Sequence, residues 1–199
     1  MNSFSELDDL KIHITKDGSL SLYSLNYGEG FHDSDGAIKE SIYKYLLPAQ
    51  LDLFSNTDKK IVILDVCMGM GYNSGCILEE LFKSKHRIEW HGLEIDCRPL
   101  DIGLNEKKFQ ELWSPQILDF FKCLKESGRW NEGCNEGTIH WGDARQKIYE
   151  IQDSLRFDLI LLDPFSPQKC PELWSEEFIS LLSERLSVKG RLITYSTAA

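Results

Sequence analysis

Four acidic residues stand at or just past the ends of short apolar runs that read as strands. Asp65 follows Ile61-Val62-Ile63-Leu64, Glu94 ends residues 87–94, Asp143 lies just beyond 138–141, and Asp163 follows Phe157–Leu162. In an open parallel sheet ligands gather beyond the carboxyl ends of the strands, so these four acids are predicted to line one crevice. Carboxylates attract cations and accept hydrogen bonds from hydroxyl and amino groups. Glu94 is placed to accept from both hydroxyls of a ribose. Asp143, with the backbone N–H groups around Ala144, is placed to read an adenine amino group, and it can also cap the helix that follows.

Between the first strand and its helix runs Asp65-Val66-Cys67-Met68-Gly69-Met70-Gly71-Tyr72-Asn73. Its glycines allow a sharp turn and close approach of the backbone to a ligand, although Cys67 stands where a glycine-rich fingerprint has its first glycine. After Asp163 comes Pro164-Phe165-Ser166-Pro167, a loop stiffened by two prolines at the same sheet edge. A cationic sulfonium nucleoside suits such a crevice better than a pyrophosphate, which the acids would repel.

The elements that must position these residues follow from periodicity. Residues 11–24 alternate around Asp17-Gly18 and predict a β-hairpin. Residues 26–36 read as an ordered loop, 37–47 as a helix closed by Pro48, and polar Ser55-Asn56-Thr57-Asp58 as a separator. From Lys60 the order becomes strand, helix (73–82) and strand (87–94), the pattern of a right-handed crossover between parallel strands. Helical segments run on to about residue 127, and 127–137, with three glycines and two asparagines, reads as a surface loop. Short strands at 138–141, 157–162 and 191–195, with helices at 144–152 and 172–186, complete an α/β chain. One domain is expected over 1–199, with 1–58 an extension of hairpin, loop and helix and 59–199 the core.

Composition narrows the function classes. The 199 residues carry a formal net charge of −10, which argues against a protein that clamps nucleic acid through many phosphates. The basic clusters at Lys83, Lys85, His86, Arg87 and at Lys107, Lys108 read as solvated faces. The six cysteines form no CxxC pair and no His pair has metal-ligand spacing, so no metal and free thiols in a reducing cytoplasm are expected. No run approaches the roughly 18 apolar residues of a membrane span, so no membrane association is expected.

Taken together, Asp17-Gly18-Ser19, Tyr27-Gly28-Glu29, Gly36-Ala37 to Glu40, Gly69-Met70-Gly71-Tyr72-Asn73, Gly142-Asp143-Ala144, Asp163-Pro164-Phe165-Ser166-Pro167, Pro171-Glu172-Leu173-Trp174 and Thr194-Tyr195-Ser196 resemble the MnmC-like family. That family is the methyltransferase domain that makes 5-methylaminomethyl-2-thiouridine in tRNA. The resemblance spans nearly the whole chain and rests mainly on residues 163 to 174. It departs from the family pattern at Cys67, where a glycine is usual, and at Cys170, where an asparagine is common. The family also continues past Thr-Tyr-Ser into a further helix and strand pair, so the C-terminal strands are expected to be missing here.

The resemblance implies a Rossmann-like class I methyltransferase fold with a mostly parallel sheet and flanking helices. It implies S-adenosyl-L-methionine as cofactor, with Asp65, Met68, Gly69, Gly71, Asn73, Glu94, Asp143 and Ala144 as contacts. The partner it implies is tRNA, with Tyr27, Phe165 and Trp174 as faces for a flipped wobble base, and Asp163 beside the transferred methyl. No flavin is expected, because the chain holds no second dinucleotide fingerprint, and no obligate protein partner is inferred. Two other readings remain open: a spermidine synthase-like aminopropyltransferase, and an inactive binding module on the same fold.

Overall fold

In the computed structural model, residues 9–54 and 59–195 are described. The polar separator at 55–58 and Ser196 lie outside them. Strand β4 (Ile61–Val66) and strand β8 (Phe157–Leu162) are buried at every position and form the centre of a six-stranded sheet in the order β6-β7-β5-β4-β8-β9. β5 is Ile88–Glu94, β6 Arg129–Glu132, β7 Asn135–Trp141 and β9 Leu186–Thr194. All neighbours run parallel except β6 and β7. Continuous apolar runs form such strands because helices cover both faces. Ile61, Ile63, Leu159 and Leu161 enter one core with helices α3 (Tyr72–Lys83), α4 (Arg98–Asn105), α5 (Lys107–Gln110) and α6 (Pro115–Ser127). Val62, Leu64, Ile160 and Leu162 enter the other with α7 (Ala144–Lys147) and α8 (Glu176–Glu184).

Ahead of this sheet, β1 (Leu10–Ile14), β2 (Leu20–Ser24) and β3 (Glu29–Gly30) form a small antiparallel sheet. The hairpin turn also organises the next helix. Ser19 Oγ accepts from the Ala37 N–H at 2.9 Å and Asp17 Oδ2 from the Lys39 N–H at 3.1 Å, capping α1 (Ala37–Glu40). Tyr72 Oη then donates to the Leu20 carbonyl at 2.7 Å and fastens the hairpin to α3.

Several expectations from sequence are corrected. Residues 127–137 are the β6–β7 hairpin rather than a surface loop, because Trp130, 2% exposed, packs on Phe82 and Phe120 and pins a polar strand to the core. The loop 26–36 contributes β3. Pro48 lies inside the last helical turn, after a π-turned stretch Ser41–Leu46 and within α2 (Leu47–Ala49). Proline cannot donate to the carbonyl four residues back and crowds it, and a widened turn accommodates both effects. The last helix starts at Glu176 with Ser175 capping the Phe178 N–H, and β9 begins at Leu186 instead of 191. The helix expected over 144–152 ends as α7 at Lys147 and continues only as a single 3-10 turn, Ile148–Glu150.

Candidate functional site

The carboxyl ends of the central strands finish level with one another. Cys67 N–H bonds the Leu93 carbonyl at 2.8 Å, Gly142 N–H the Glu94 carbonyl at 2.7 Å, and Asp163 N–H the Val66 carbonyl at 3.1 Å. Beyond them opens a cavity of about 760 Å³. Its walls are Cys67 and Gly69, Glu94 to Asp96, Gly142 to Arg145, Asp163 to Phe165, and, from the N-terminal sheet and helix, Tyr27, Glu29 to Ser34 and Glu40.

Glu94, Asp143 and Asp163 line this cavity, as the strand-end argument predicts. Glu94 is buried, and its two oxygens accept from Gly69 N–H at 2.7 Å and Asp96 N–H at 2.8 Å. Burial raises its pKa, and those backbone donors partly oppose the rise. Asp143 accepts from Arg145 N–H at 2.9 Å and pairs with the Arg145 guanidinium at 2.6 Å, which holds its carboxyl below the usual range. Asp163 receives a 2.7 Å hydrogen bond from Asn73 Nδ2. Desolvation nonetheless pushes it up to about 7.

Asp65 departs from the expectation. It is 1% exposed and absent from the cavity wall. Alternation along β4 turns it beneath α3, where Ser74 Oγ donates to Oδ2 at 2.5 Å and itself receives Trp90 Nε1 at 2.7 Å. Its Oδ1 has no partner among the described residues. Burial pushes Asp65 up to about 7, Ser74 opposes this, and the charges of Asp163 and Glu94 add to it.

Of the turn residues, only Cys67 and Gly69 face the cavity. Met68 is 5% exposed in the core, and Asn73 reaches Asp163 rather than the cavity wall. Gly71, at φ +88°, presents its Cα to the Phe121 ring. A Cβ there would approach Phe121 Cε1 to 2.7 Å, and the backbone favours glycine besides. Gly71→Ala is therefore expected to cost about 2–4 kcal/mol of stability from left-handed strain plus overpacking. Chemical denaturation measures it, and a loss below the left-handed penalty alone would show that the turn moves freely.

Ala144 lies on the cavity wall at the start of α7. Tyr27 and Phe165 also line it and stack on each other at 4.5 Å, with Phe31 edge-on to Phe165 at 5.0 Å. Trp174 is not on the wall. Its Nε1 donates to the Phe165 carbonyl at 2.8 Å, so it braces the Asp163 loop from behind.

Three site residues were not singled out from sequence. Glu29 accepts from Ser166 Oγ at 2.7 Å and ties the N-terminal sheet to the Asp163 loop. Its place in Tyr27-Gly28-Glu29, whose first and last residues line the cavity, was the available signal. Ile95, 67% exposed beside Glu94, gives the cavity an apolar face, and a strand-end isoleucine is silent about that. Tyr45 is brought to Asp163 by the π-turn, which no pattern announces.

The acids fit a cationic nucleoside. Desolvation raises Asp65 and Asp163, with the charges of Asp163 and Glu94 adding at Asp65 and that of Glu40 at Asp163, and an added positive charge opposes both rises by favouring the ionised forms. At Gly69, φ +56°, an added Cβ would stand 3.3 Å from Phe31 Cδ1, so the lack of a side chain lets the turn lie close against Phe31 at the cavity wall. Among the described residues no group of three or more His, Cys, Asp or Glu side chains is placed to hold a metal ion, and no helix is long and apolar enough to cross a membrane.

Comparison with known proteins gives a consistent result. Residues 107–199 match a family model described as S-adenosyl-L-methionine-dependent methyltransferase. The crystal structure of MnmC2 from Aquifex aeolicus superposes with a TM-score of 0.80 at 34% identity, covering 97% of this chain and 62% of that one. The bifunctional MnmC protein of Azoarcus sp., named for tRNA 5-methylaminomethyl-2-thiouridine biosynthesis, is 27% identical over 88% of this chain and 29% of its own. An uncharacterized protein of Methanocaldococcus jannaschii is 28% identical over 92% of this chain and 49% of its own length. The chain thus spans half or less of these curated relatives. A probable spermidine synthase from Corynebacterium glutamicum, at 14% identity and a TM-score of 0.54, shares the fold alone. The described fold and these likenesses agree in making the chain similar, over nearly its whole length, to MnmC-like S-adenosyl-L-methionine-dependent methyltransferase domains.

Proposed function

We propose that this domain transfers a methyl group from S-adenosyl-L-methionine to the 5-aminomethyl nitrogen of a tRNA wobble uridine. The observation that carries the reading is one cavity holding Glu94 and Asp143 on one side, and Asp163 beside the Tyr27–Phe165 stack on the other. The printed name of the Azoarcus relative supports the choice of nucleoside.

Glu94 accepts the ribose hydroxyls, Asp143 and the Ala144 N–H read the adenine, and Ile95 lies against its face. Gly69 lets the backbone come close, while Met68, Gly71 and Asn73 shape the turn from behind. Asp65 contributes field through the buried layer rather than contact. The cofactor supplies an electrophilic methyl on sulfonium, so the protein has mainly to align a neutral amine with it. Asp163 accepts a hydrogen bond from that amine, points its lone pair inward and stabilises the cation that forms. Tyr27 and Phe165 take an unstacked base, with Trp174 holding Phe165 in place. The cytoplasm, where the six free thiols stay reduced, is the compartment of this reading.

Methyl-labelled cofactor and tRNA carrying 5-aminomethyl-uridine test the reading. Label is expected in the wobble nucleoside after digestion. Cofactor binding with no label in any tRNA would leave an inactive module, and transfer to putrescine of a label carried on the aminopropyl chain of decarboxylated cofactor would leave an aminopropyltransferase.

A further inference from the structure

Asp163 is held by one neutral donor and flanked by a second. Asn73, in the first turn of α3, donates to Oδ2 at 2.7 Å. Opposite it, the π-turned stretch Ser41–Leu46 delivers Tyr45, which has no exposed surface. The widening is real in its bonding, since Leu47 N–H reaches back five residues to the Ile42 carbonyl. Such turns are rare and cluster at functional sites.

The Tyr45 hydroxyl donates to the Leu162 carbonyl oxygen at 3.3 Å, one residue before Asp163, whose ionised form the phenol favours. A phenol has one proton to give, so it serves one acceptor at a time. An ionised carboxylate is much the stronger acceptor, whereas a protonated one competes poorly with a peptide carbonyl. Burial and the charge of Asp163 push the Tyr45 phenol far above its usual range, so it stays protonated and keeps its proton to donate.

We propose that Tyr45 is a positioning residue for methyl transfer, its O–H swinging from the Leu162 carbonyl to Asp163 as that carboxyl group ionises. The swing fixes the carboxylate against Asn73 and leaves its remaining lone pairs for the substrate amine. The other charged or titratable groups facing Asp163 are Glu40 and Lys44 from the same helical segment, Asp65 and Cys67 from β4 and its turn, and Tyr195 after β9. Lys44 is already committed to Asp33 and Glu40, at 2.7 Å each, which leaves Tyr45 and Asn73 as the neutral donors that set the carboxylate's direction.

This inference rests on the methyl-transfer reading above, and its test separates the two. Tyr45→Phe is expected to lower kcat by up to about 10²-fold through misalignment, with KM for S-adenosyl-L-methionine unchanged. The acidic limb of its kcat profile should move to higher pH, because a donor that favours the ionised form is gone. Site-specific 3-fluorotyrosine at position 45, nearly the same shape but a stronger donor, should move that limb to lower pH, and it decides the matter if Tyr45→Phe fails to fold. Carboxyl-13C NMR titration of Asp163 reads the same opposed shifts without any substrate. Should no tRNA be methylated, the functional reading fails while the NMR titration still decides Tyr45. An Asp163 titration unmoved by either replacement would overturn the proposal.

Discussion

Replacing Asp163 by asparagine is expected to lower methyl transfer by about 10²–10⁴-fold, the range for loss of a positioned acid-base group. Affinity for S-adenosyl-L-methionine should stay within a few-fold, because Glu94 and Asp143 carry the nucleoside contacts. Asparagine keeps the volume but cannot stabilise the ammonium cation as it forms. The wild-type rate carries its own signature in pH. Burial holds the Asp163 carboxyl up at about 7, so its ionised fraction, and the rate with it, is lost as pH falls through about 7. Deprotonation of the substrate amine adds a second rise at higher pH that wild type and variant share. Single-turnover rates across pH separate the two. The lower limb should vanish in Asp163→Asn, and near-normal turnover in that variant would remove Asp163 from the chemistry.

Glu94→Gln is expected to weaken cofactor binding by about 10²-fold, roughly 2.8 kcal/mol, with kcat at saturating cofactor little changed. Two effects combine. The ribose hydroxyls lose a charged acceptor, worth about 1.5–3 kcal/mol per bond. The new amide must also face either the Gly69 N–H or the Asp96 N–H, donor against donor, which disturbs the turn that Glu94 organises. Equilibrium dialysis with labelled cofactor measures the loss, and unchanged affinity would place the ribose elsewhere.

The α/β architecture was legible because β4 and β8 are apolar without interruption, and only a sheet covered on both faces makes such strands. The strand-end rule likewise brought Glu94, Asp143 and Asp163 to one cavity. It misplaced Asp65 by one pleat, since an acid inside the last strand residues points sideways under α3 instead of out of the end. The β6 strand was hidden because Trp130 alone anchors it within a polar, glycine-rich stretch. Tyr27, Phe165 and Trp174 were named together as faces for a base by the family resemblance, but the mutual stacking of the first two and the bracing role of Trp174 are tertiary facts. Tyr45 lies in an ordinary amphipathic helix pattern, and only the widened turn sends it to Asp163.

The most direct measurement is calorimetric titration of the purified chain with S-adenosyl-L-methionine and, separately, with a nicotinamide dinucleotide. Acids gathered at one sheet edge should give saturable heat from one sulfonium nucleoside per chain and none from the pyrophosphate-bearing ligand. No heat with S-adenosyl-L-methionine, or tighter binding of the dinucleotide, would contradict the assignment of this cavity.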